Sequence, residues 1–306
     1  MRNVFAKAIL AAAEADSKVL LLTGDHGYAL FDEFRKCRPA QFINAGIAEQ
    51  NMVGVAAGLT KAGFKPIVYG LSAFVPIRVL EQIKIDVCYE NLPVVFIGDG
   101  AGLVYSSLGS SHQSTEDIAV LRALPNINIL SPCDIHEMYY VMSQALRFES
   151  PQYVRMGKSD TGQIHSTAVS PKLGDLIQVR TGTHNAITFL ATGSMVKTAI
   201  ALADSTDSNA WSVPSIKPIN KVQLQQIALN TNTIVVLEEH AVAGGLGSLV
   251  AEIICEQGTA KVIRIGIQER FSQKCGSYEY LLKEHGIDLS SLLPRINILQ
   301  QSLTTP

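Results

Sequence analysis

The chain lacks the features that characterise membrane, secreted and nucleic-acid-binding proteins. Only 17% of its 306 residues are charged, the net charge is −2 and no basic run occurs, so the composition does not favour nucleic acid. No uninterrupted apolar run is long enough to span a bilayer. Near the amino terminus, Glu14 and Asp16 interrupt an apolar run, which favours a helix leading into a strand over a signal peptide. These absences predict a soluble, cytoplasmic protein.

Cysteine is scarce and scattered along the chain. The five residues form no CxxC pair and no spacing typical of a metal site: Cys37, Cys88, Cys133, Cys255 and Cys275. We therefore expect reduced thiols, most of them in the core. The hydrophobic share is 47%, rich in Ala, Val, Ile and Leu, which is typical of parallel strands covered by helices on both faces.

Strand-like and helix-like segments alternate, which predicts an α/β fold built on parallel strands. The strand-like runs are Lys18–Thr23, Pro66–Tyr69, Pro93–Ile97, Ile127–Leu130, Gln152–Arg155, Ala186–Ala191, Ile234–Leu237 and Lys261–Ile267. Apolar residues at i+4 spacing predict a helix over 75–87. Residues 157–182 have little periodicity and many Gly, Ser, Thr and Lys residues, which indicates a linker. We predict one domain at 1–160, a linker at 161–182 and a smaller α/β domain at 183–306.

The segment Phe42–Lys61 is the most informative in the chain. A short strand, FIN, leads into a helix rich in Gly and Ala, and such small residues let another backbone approach closely. Glu49 stands near the first turn of this helix, where the helix dipole favours an anion. For an isolated glutamate, a helix cap or a surface ion pair would be a sufficient explanation.

The sequence around Glu49, Gly-Ile-Ala-Glu-Gln-Asn-Met, resembles the signature motif of transketolases and of 1-deoxyxylulose-5-phosphate synthases. In that family, the glutamate hydrogen-bonds the aminopyrimidine of thiamine diphosphate, and the cofactor carries the carbanion chemistry. The resemblance implies a thiamine-diphosphate-binding pyrimidine domain followed by a transketolase-type C-terminal domain. It also implies that Glu49 is catalytic and binds the cofactor.

The segment Tyr69–Asp86 matches an aromatic-rich loop and a helix with an acid–glutamine pair in the same family. Phe74 falls where a phenylalanine stacks on the aminopyrimidine, and Leu71 and Ile77 would complete the pocket wall. Gln82, in the acid–glutamine pair, is a further cofactor-binding candidate. Without the resemblance, Phe74 would simply be a core residue.

Further candidates face the cofactor's reactive ring or the substrate. Asp25 follows the first predicted strand, where relatives place an aspartate near the thiazolium ring; His26 beside it is a candidate substrate contact or a solvated loop residue. Ser-His-Gln at 111–113 resembles the Thr-His-Gln segment of transketolases, which implies that His112 contacts substrate oxygens and aids proton transfer. Arg155 matches a phosphate-binding arginine of relatives, or is a strand-end charge.

A metal motif of thiamine enzymes is imitated in the first half of the chain. Gly98–Gly100 (GDG) precedes Asn126 by 25 intervening residues, but Asn126 lies before a predicted strand rather than after it. We therefore predict no metal ligand in this chain. The resemblance then implies a partner, the amino-terminal-half (α) subunit, that holds the diphosphate and Mg²⁺ or Ca²⁺, most simply in an α₂β₂ heterotetramer.

Departures from the family pattern bear on the substrate. Leu108 stands where an aspartate of transketolases reads an acceptor hydroxyl, and Gly100 and Ala29 replace phosphate-contacting residues. The expected function is therefore that of a transketolase β subunit that transfers a two-carbon ketol unit to an unusual sugar acceptor. The alternatives are a decarboxylating 2-oxoacid transferase or synthase, such as a deoxyxylulose-phosphate synthase or a 2-oxoacid dehydrogenase β subunit, and a non-catalytic partner subunit.

Overall fold

Strands and helices alternate in the computed structural model of the chain, which describes residues 1–147, 149–158, 162–256 and 258–304. The strands are β1 Val19–Thr23, β2 Phe42–Asn44, β3 Lys65–Leu71, β4 Val95–Asp99, β5 Asn128–Leu130, β6 Gln152–Met156, β7 Ile177–Arg180, β8 His184–Ala191, β9 Ser208–Ser212, β10 Ser215–Lys217, β11 Thr233–Ala241 and β12 Lys261–Ile267. The helices are α1 Arg2–Ala15, α2 Asp32–Cys37, α3 Glu49–Lys61, α4 Leu80–Gln82, α5 Asp117–Arg122, α6 Ile135–Ala145, α7 Val196–Thr206, α8 Lys221–Leu229, α9 Leu246–Cys255, α10 Tyr278–Glu284 and α11 Leu289–Thr304. Each strand-like run of the sequence overlaps a strand of this structure.

The first sheet has seven strands in the order β10-β5-β6-β4-β3-β1-β2. All pairs are parallel except β10 with β5. Successive residues of β1 alternate between two cores: Leu20 and Leu22 pack on the face that carries α3, while Leu21 packs on the face that carries α1. A parallel sheet buried on both faces explains why its strands are continuously apolar.

The second sheet has five strands in the order β12-β11-β8-β9-β7. It is parallel except for β7, which pairs antiparallel with β9 and falls inside the predicted linker. The predicted boundary at residues 160 and 161 lies outside the described residues. Strand β10 follows β9 in the chain but joins the first sheet, where Ser215 is paired with Leu130, so the two halves of the chain share a sheet.

The helix predicted over 75–87 is irregular. A 3₁₀ turn, Ile77–Val79, is followed by α4 and by a π-helical segment, Ile83–Cys88. Its apolar stripe, Val75, Val79, Ile83 and Val87, is nevertheless fully buried, as the i+4 spacing predicts. None of the helices in the described residues has both the length and the apolar character that a bilayer crossing requires.

The cysteines are all free, but the expectation that most lie in the core is wrong. Cys88 and Cys133 are buried, whereas Cys37, Cys255 and Cys275 are exposed. The three exposed residues lie at the ends of α2 and α9 and in the loop before α10, where the chain leaves the packed layers.

A buried polar network joins the two sheets. Arg155 of β6 donates from Nε to Asp117 Oδ2 over 2.8 Å and from Nη2 to the carbonyl oxygen of Glu239 over 2.9 Å. Burial lowers the pKa of His240, also on β11, to about 4, and burial raises the pKa of its neighbour Glu238 to about 7. The junction therefore contains two titratable groups whose pKa values move in opposite directions.

These shifts predict an acid-sensitive histidine that His240→Asn would remove. Since unfolding returns the His240 pKa to 6.5, the unfolded chain binds a proton that the folded chain rejects between pH 6.5 and about 4. Stability contributed by His240 is therefore lost on acidification, by up to about 3 kcal/mol for a shift of this size. The raised pKa of Glu238 acts oppositely, because its stability is lost as the pH rises from 4.5 to about 7.

Urea unfolding at a series of pH values should show the His240→Asn variant gaining stability relative to wild type as the pH falls from about 7 to about 4. The substitution also removes the hydrogen bond from the Ala119 amide to His240 Nε2, which changes the free energy of unfolding by the same amount at every pH. The test is therefore how the difference in unfolding free energy between the variant and wild type changes with pH. His184→Asn, at an exposed position, is the matched control. A His240→Asn difference that is constant with pH would contradict the prediction.

Candidate functional site

Loops at the carboxyl ends of β1, β2 and β3 bring together one group of predicted site residues. His26 follows β1, Glu49 follows β2 and Phe74 follows β3, while His112 comes from the longer loop after β4. Arg78, in the 3₁₀ turn before α4, completes this group. We call these five residues the Glu49 cluster. Ligands of parallel α/β sheets bind at this edge.

Glu49 is the first residue of α3 and is 3% exposed. Both carboxylate oxygens accept a hydrogen bond from Arg78 Nη1, each over 3.1 Å. His26 Nε2 lies 4.0 Å from Glu49 Oε1. The start of α3 thus presents a buried carboxylate, a hydrogen-bond acceptor, to groups from two other loops.

Phe74 is the aromatic centre of the Glu49 cluster. The guanidinium carbon of Arg78 lies 3.9 Å from the centroid of its half-buried ring. The His112 ring meets it edge-on with centroids 5.4 Å apart, and the His26 ring lies 6.0 Å away. The ring therefore carries a planar cation, next to a buried carboxylate.

Asp25 lies in a tight loop beside His26. Its backbone has a positive φ of 60°, and its amide donates to Asn44 Oδ1 over 3.1 Å. Hydrogen bonds from Tyr28 and, next in importance, from Asn44 hold the pKa of the Asp25 carboxyl below its usual value. Asp25 is therefore an ordered carboxylate that links the loops after β1 and β2.

Leu71, Ile77 and Gln82 lie in the same segment as Phe74 and Arg78, and all three are half-buried. The amides of Phe74 and Val75 both donate to the Leu71 carbonyl, which closes the turn that presents Phe74. Gln82 Oε1 is buried and finds no hydrogen-bond partner in the part of the chain that the structure describes; the same holds for His26 Nε2. Such unsatisfied polar atoms commonly mark places where a ligand completes the hydrogen bonding.

The loop that carries His112 also carries Leu108. His112 Nδ1 lies 3.0 Å from the Ser111 hydroxyl, and its amide donates to the Gly109 carbonyl, so the ring is oriented toward Phe74 by its own loop. Leu108 ends a 3₁₀ turn and is 52% exposed. Its apolar side chain is thus presented to solvent from the loop that bears the histidine.

Arg155 is not a member of this group, and its predicted contact with substrate stays a prediction. It is 2% exposed and its donors are directed to Asp117, Glu239 and Ser114 inside the molecule. These contacts involve Nε and Nη2 of the guanidinium. The structure assigns Arg155 to the junction between the sheets.

The two parts of the Gly-Asp-Gly and Asn sequence that resembles a metal motif, Asp99 and Asn126, do not lie together. Asp99 ends β4, accepts a hydrogen bond from Tyr69 and pairs with Arg2 at 3.2 Å, whereas Asn126 precedes β5 and donates to the Cys88 carbonyl. In a parallel sheet, these two positions lie at opposite edges.

A second group of potential ligands surrounds the start of α6. Cys133 Sγ, Glu137 Oε1 and His165 Nε2 approach one another, with 4.0 Å from sulfur to nitrogen and 2.9 Å from nitrogen to oxygen. Since the same ring nitrogen faces both neighbours, His165 cannot relay a proton between them. Glu137 also accepts from the Cys133 amide and Asp134 caps the helix, so these contacts describe a helix cap.

Arg78 is the member of the cluster that sequence reasoning missed. The available signal is nearness in sequence, because Arg78 stands only four residues after Phe74, and in the folded turn its amide donates to the Phe74 carbonyl. Taken together, a buried carboxylate, a stackable aromatic face and orphaned polar atoms fit the aminopyrimidine of thiamine diphosphate. The fit concerns that half of the cofactor alone.

The comparisons with known proteins agree with this geometry. The transketolase pyrimidine-binding domain matches residues 1–163, and the transketolase C-terminal domain matches residues 177–292. A subunit of the apulose-4-phosphate transketolase of Phocaeicola vulgatus is 32% identical, over 94% of this chain and 93% of its own. The SqwH subunit of the 6-deoxy-6-sulfo-D-fructose transketolase of Clostridium sp. is 28% identical, over 96% and 92%.

Two further similarities define what part of a larger enzyme the chain corresponds to. 1-Deoxy-D-xylulose-5-phosphate synthase of Thioalkalivibrio sulfidiphilus is 32% identical over 96% of this chain but only 46% of the synthase. A split-gene transketolase solved as an inactive β4 tetramer superposes with a TM-score of 0.86 at 30% identity, covering 98% of this chain and 97% of its own. The predicted α/β pyrimidine-binding and C-terminal organisation is confirmed, and the chain belongs to the transketolase family.

Proposed function

We propose that this chain is the β subunit of a two-chain, thiamine-diphosphate-dependent transketolase, which transfers a two-carbon ketol unit from a ketose to the carbonyl group of an acceptor sugar. The observation that carries the proposal is the buried Glu49 carboxylate beside the Phe74 ring, in a chain that matches one subunit of the apulose-4-phosphate transketolase over nearly its whole length.

In this proposal, each residue of the pocket has a distinct task. When bound, thiamine diphosphate supplies the nucleophilic carbon and the electron sink for breaking and forming carbon–carbon bonds. Glu49 holds the proton shared with the aminopyrimidine, and Phe74 supports that ring by stacking. Leu71 and Ile77 form the apolar wall, while Gln82 is a candidate partner for the cofactor's polar edge.

Substrate-side tasks fall to the histidines that border Phe74. His112 is positioned to move protons to and from substrate oxygens, because a neutral imidazole has one ring nitrogen that donates and one that accepts. His26 has an unpartnered ring nitrogen 4.0 Å from Glu49 and can bind either a substrate hydroxyl or the cofactor. Asp25 orders the loop that carries it and lies toward the expected thiazolium side.

A partner subunit is part of the proposal. The face of α3 away from the sheet carries small and apolar residues: Gly54, Val55 and Gly58 are exposed, and Ile47 just before the helix is 76% exposed. A Cβ atom built on Gly58 would meet nothing within 4 Å. We propose that an α subunit packs here, bringing the diphosphate site and its Mg²⁺ or Ca²⁺ in an α₂β₂ heterotetramer. The inactive β4 tetramer of the split-gene relative supports the need for such a partner.

The decarboxylating alternative is also supported by a relative, the deoxyxylulose-phosphate synthase, although that enzyme carries both halves in one chain. The test is reconstitution of this chain with its α partner and thiamine diphosphate. Ketol transfer from a ketose donor, absent from either chain alone, supports the proposal. Turnover of a 2-oxoacid with release of carbon dioxide supports the alternative, and lack of both reactions supports a non-catalytic subunit. A cytoplasmic location stays a prediction.

The proposal extends to the kind of acceptor sugar that the enzyme uses. Leu108 cannot accept a hydrogen bond from an acceptor hydroxyl, which argues for a deoxygenated or otherwise unusual sugar. Two relatives are named for unusual sugars, apulose 4-phosphate and 6-deoxy-6-sulfofructose, and both of these are ketoses, which in a ketol transfer stand on the donor side.

The Leu108→Asp variant tests this point. We expect it to raise kcat/KM for an ordinary 2-hydroxyaldehyde acceptor such as ribose 5-phosphate by about tenfold, through one new hydrogen bond to the acceptor. The measurement is steady-state ketol transfer with the donor held constant. Leu108→Asn, which also adds an acceptor but no charge, is the control. Efficient use of ribose 5-phosphate by the wild-type complex would contradict the assignment of an unusual acceptor.

A further inference from the structure

The contacts of Arg78 reproduce those expected of the cofactor. Its guanidinium lies over the Phe74 ring at 3.9 Å and donates to both carboxylate oxygens of Glu49. We propose that Arg78 is a placeholder that occupies the aminopyrimidine position in the cofactor-free protein and has to leave before thiamine diphosphate can bind. This inference rests on the proposed function, because it uses the cofactor contacts assigned there to Glu49 and Phe74.

The two occupants exclude each other for a simple geometric reason. A guanidinium is planar and presents donors in its plane, so it can stack and donate to a carboxylate at the same time. A protonated or amino-substituted pyrimidine has the same two properties. Glu49 is 3% exposed and the same guanidinium contacts both its carboxylate and the Phe74 ring, so one flat donor group at a time can satisfy both partners.

The surroundings of Arg78 both stabilise it in this position and allow it to move away. With the pocket empty, a buried Glu49 carboxylate without a partner would be strongly unfavourable, and Arg78 supplies that partner. The Arg78 side chain is nevertheless 44% exposed, so it can swing into water without burying its charge elsewhere. Only chains in which Arg78 is displaced can bind the cofactor, so the apparent cofactor affinity is reduced in proportion to the fraction of such chains.

The test is calorimetric titration of the assembled two-chain complex with thiamine diphosphate at saturating Mg²⁺. Arg78→Ala should bind the cofactor about tenfold more tightly than wild type, the size expected of a half-exposed ion pair combined with a cation–π contact. Arg78→Gln, which keeps a donor for Glu49 but cannot act as a cation over the ring, should give a smaller gain. Arg180→Ala is the matched control, since Arg180 also pairs with two carboxylates, Asp204 and Asp207, in the second half of the chain.

Guanidinium at millimolar concentration provides a second readout. It should re-enter the vacated position in Arg78→Ala and weaken cofactor binding there, with little effect on wild type. Unchanged or weaker binding in Arg78→Ala, without a guanidinium effect, would overturn the placeholder. Failure of the proposed function has a different signature, since then the wild-type complex itself does not bind thiamine diphosphate.

Discussion

Glu49→Gln is expected to reduce thiamine-diphosphate-dependent ketol transfer by about two to four orders of magnitude, the range typical of a lost general acid–base group. Glutamine has the same shape and can still hydrogen-bond a ring nitrogen, but it cannot hold the proton that a carboxylate shares with that nitrogen. The position is sensitive because Glu49 is buried and lies at the start of α3, so water cannot replace it. The measurement is kcat of the reconstituted complex at saturating cofactor.

The matched control for this prediction is Glu81→Gln, at an exposed position in α4, which should retain full activity. Cofactor binding and assembly with the partner should survive in both variants, so the loss in Glu49→Gln should lie in kcat and not in the amount of complex. Undiminished turnover by Glu49→Gln would refute the role of this carboxylate, and with it the observation that carries the proposed function.

Much of the site's position follows from the sequence because local rules fix it. Short β-branched runs separated by helical segments specify parallel strands, and the carboxyl ends of parallel strands meet at one edge. His26, Glu49 and Phe74 each follow such a run within a few residues, so their convergence is a consequence of strand direction. Small residues likewise predict that α3 presents a close-approach surface, and Gly54 and Gly58 are exposed on it.

Other features depend on packing between distant segments, which periodicity does not encode. β10 pairs with β5 across 85 residues of chain, as in the pair Ser215 and Leu130, and a three-residue strand has too little pattern to be detected alone. The contact of Arg78 with Glu49 requires the loop after β3 to turn at Leu71, and only the folded loop shows where the guanidinium points.

Arg155 shows that a local interpretation of the sequence leaves out contacts with distant segments. A charged residue at the carboxyl end of a strand is indeed near the ligand-binding edge of the sheet. What the sequence does not show is that β11 of the second sheet covers this strand end and supplies the Glu239 carbonyl as an acceptor. The charge therefore joins two layers, with Asp117 as its buried counter-ion.

Arg155→Met is accordingly expected to lower the free energy of unfolding by about 3–5 kcal/mol, the usual cost of removing one partner from a buried ion pair. Asp117 is fully buried and, among the residues that the structure describes, would keep hydrogen bonds only from neutral donors, those of Tyr153 over 2.8 Å and Ser72 over 3.3 Å. Methionine fills most of the volume of the arginine stem. The decrease in unfolding free energy therefore comes mainly from the unpaired charge of Asp117 and less from a cavity. Urea unfolding of the chain at neutral pH measures it.

The control is Arg180→Met, which removes the same side chain from a half-buried position whose partners, Asp204 and Asp207, are exposed, and which should therefore cost less than Arg155→Met. The Arg155→Met, Asp117→Asn double variant should recover part of the stability lost in Arg155→Met, because it removes the stranded carboxylate as well as its partner. Equal losses at Arg155 and Arg180 would contradict the structural assignment. If Arg155→Met instead left stability intact and raised KM for a phosphorylated substrate, the phosphate-binding role expected from the family resemblance would be supported.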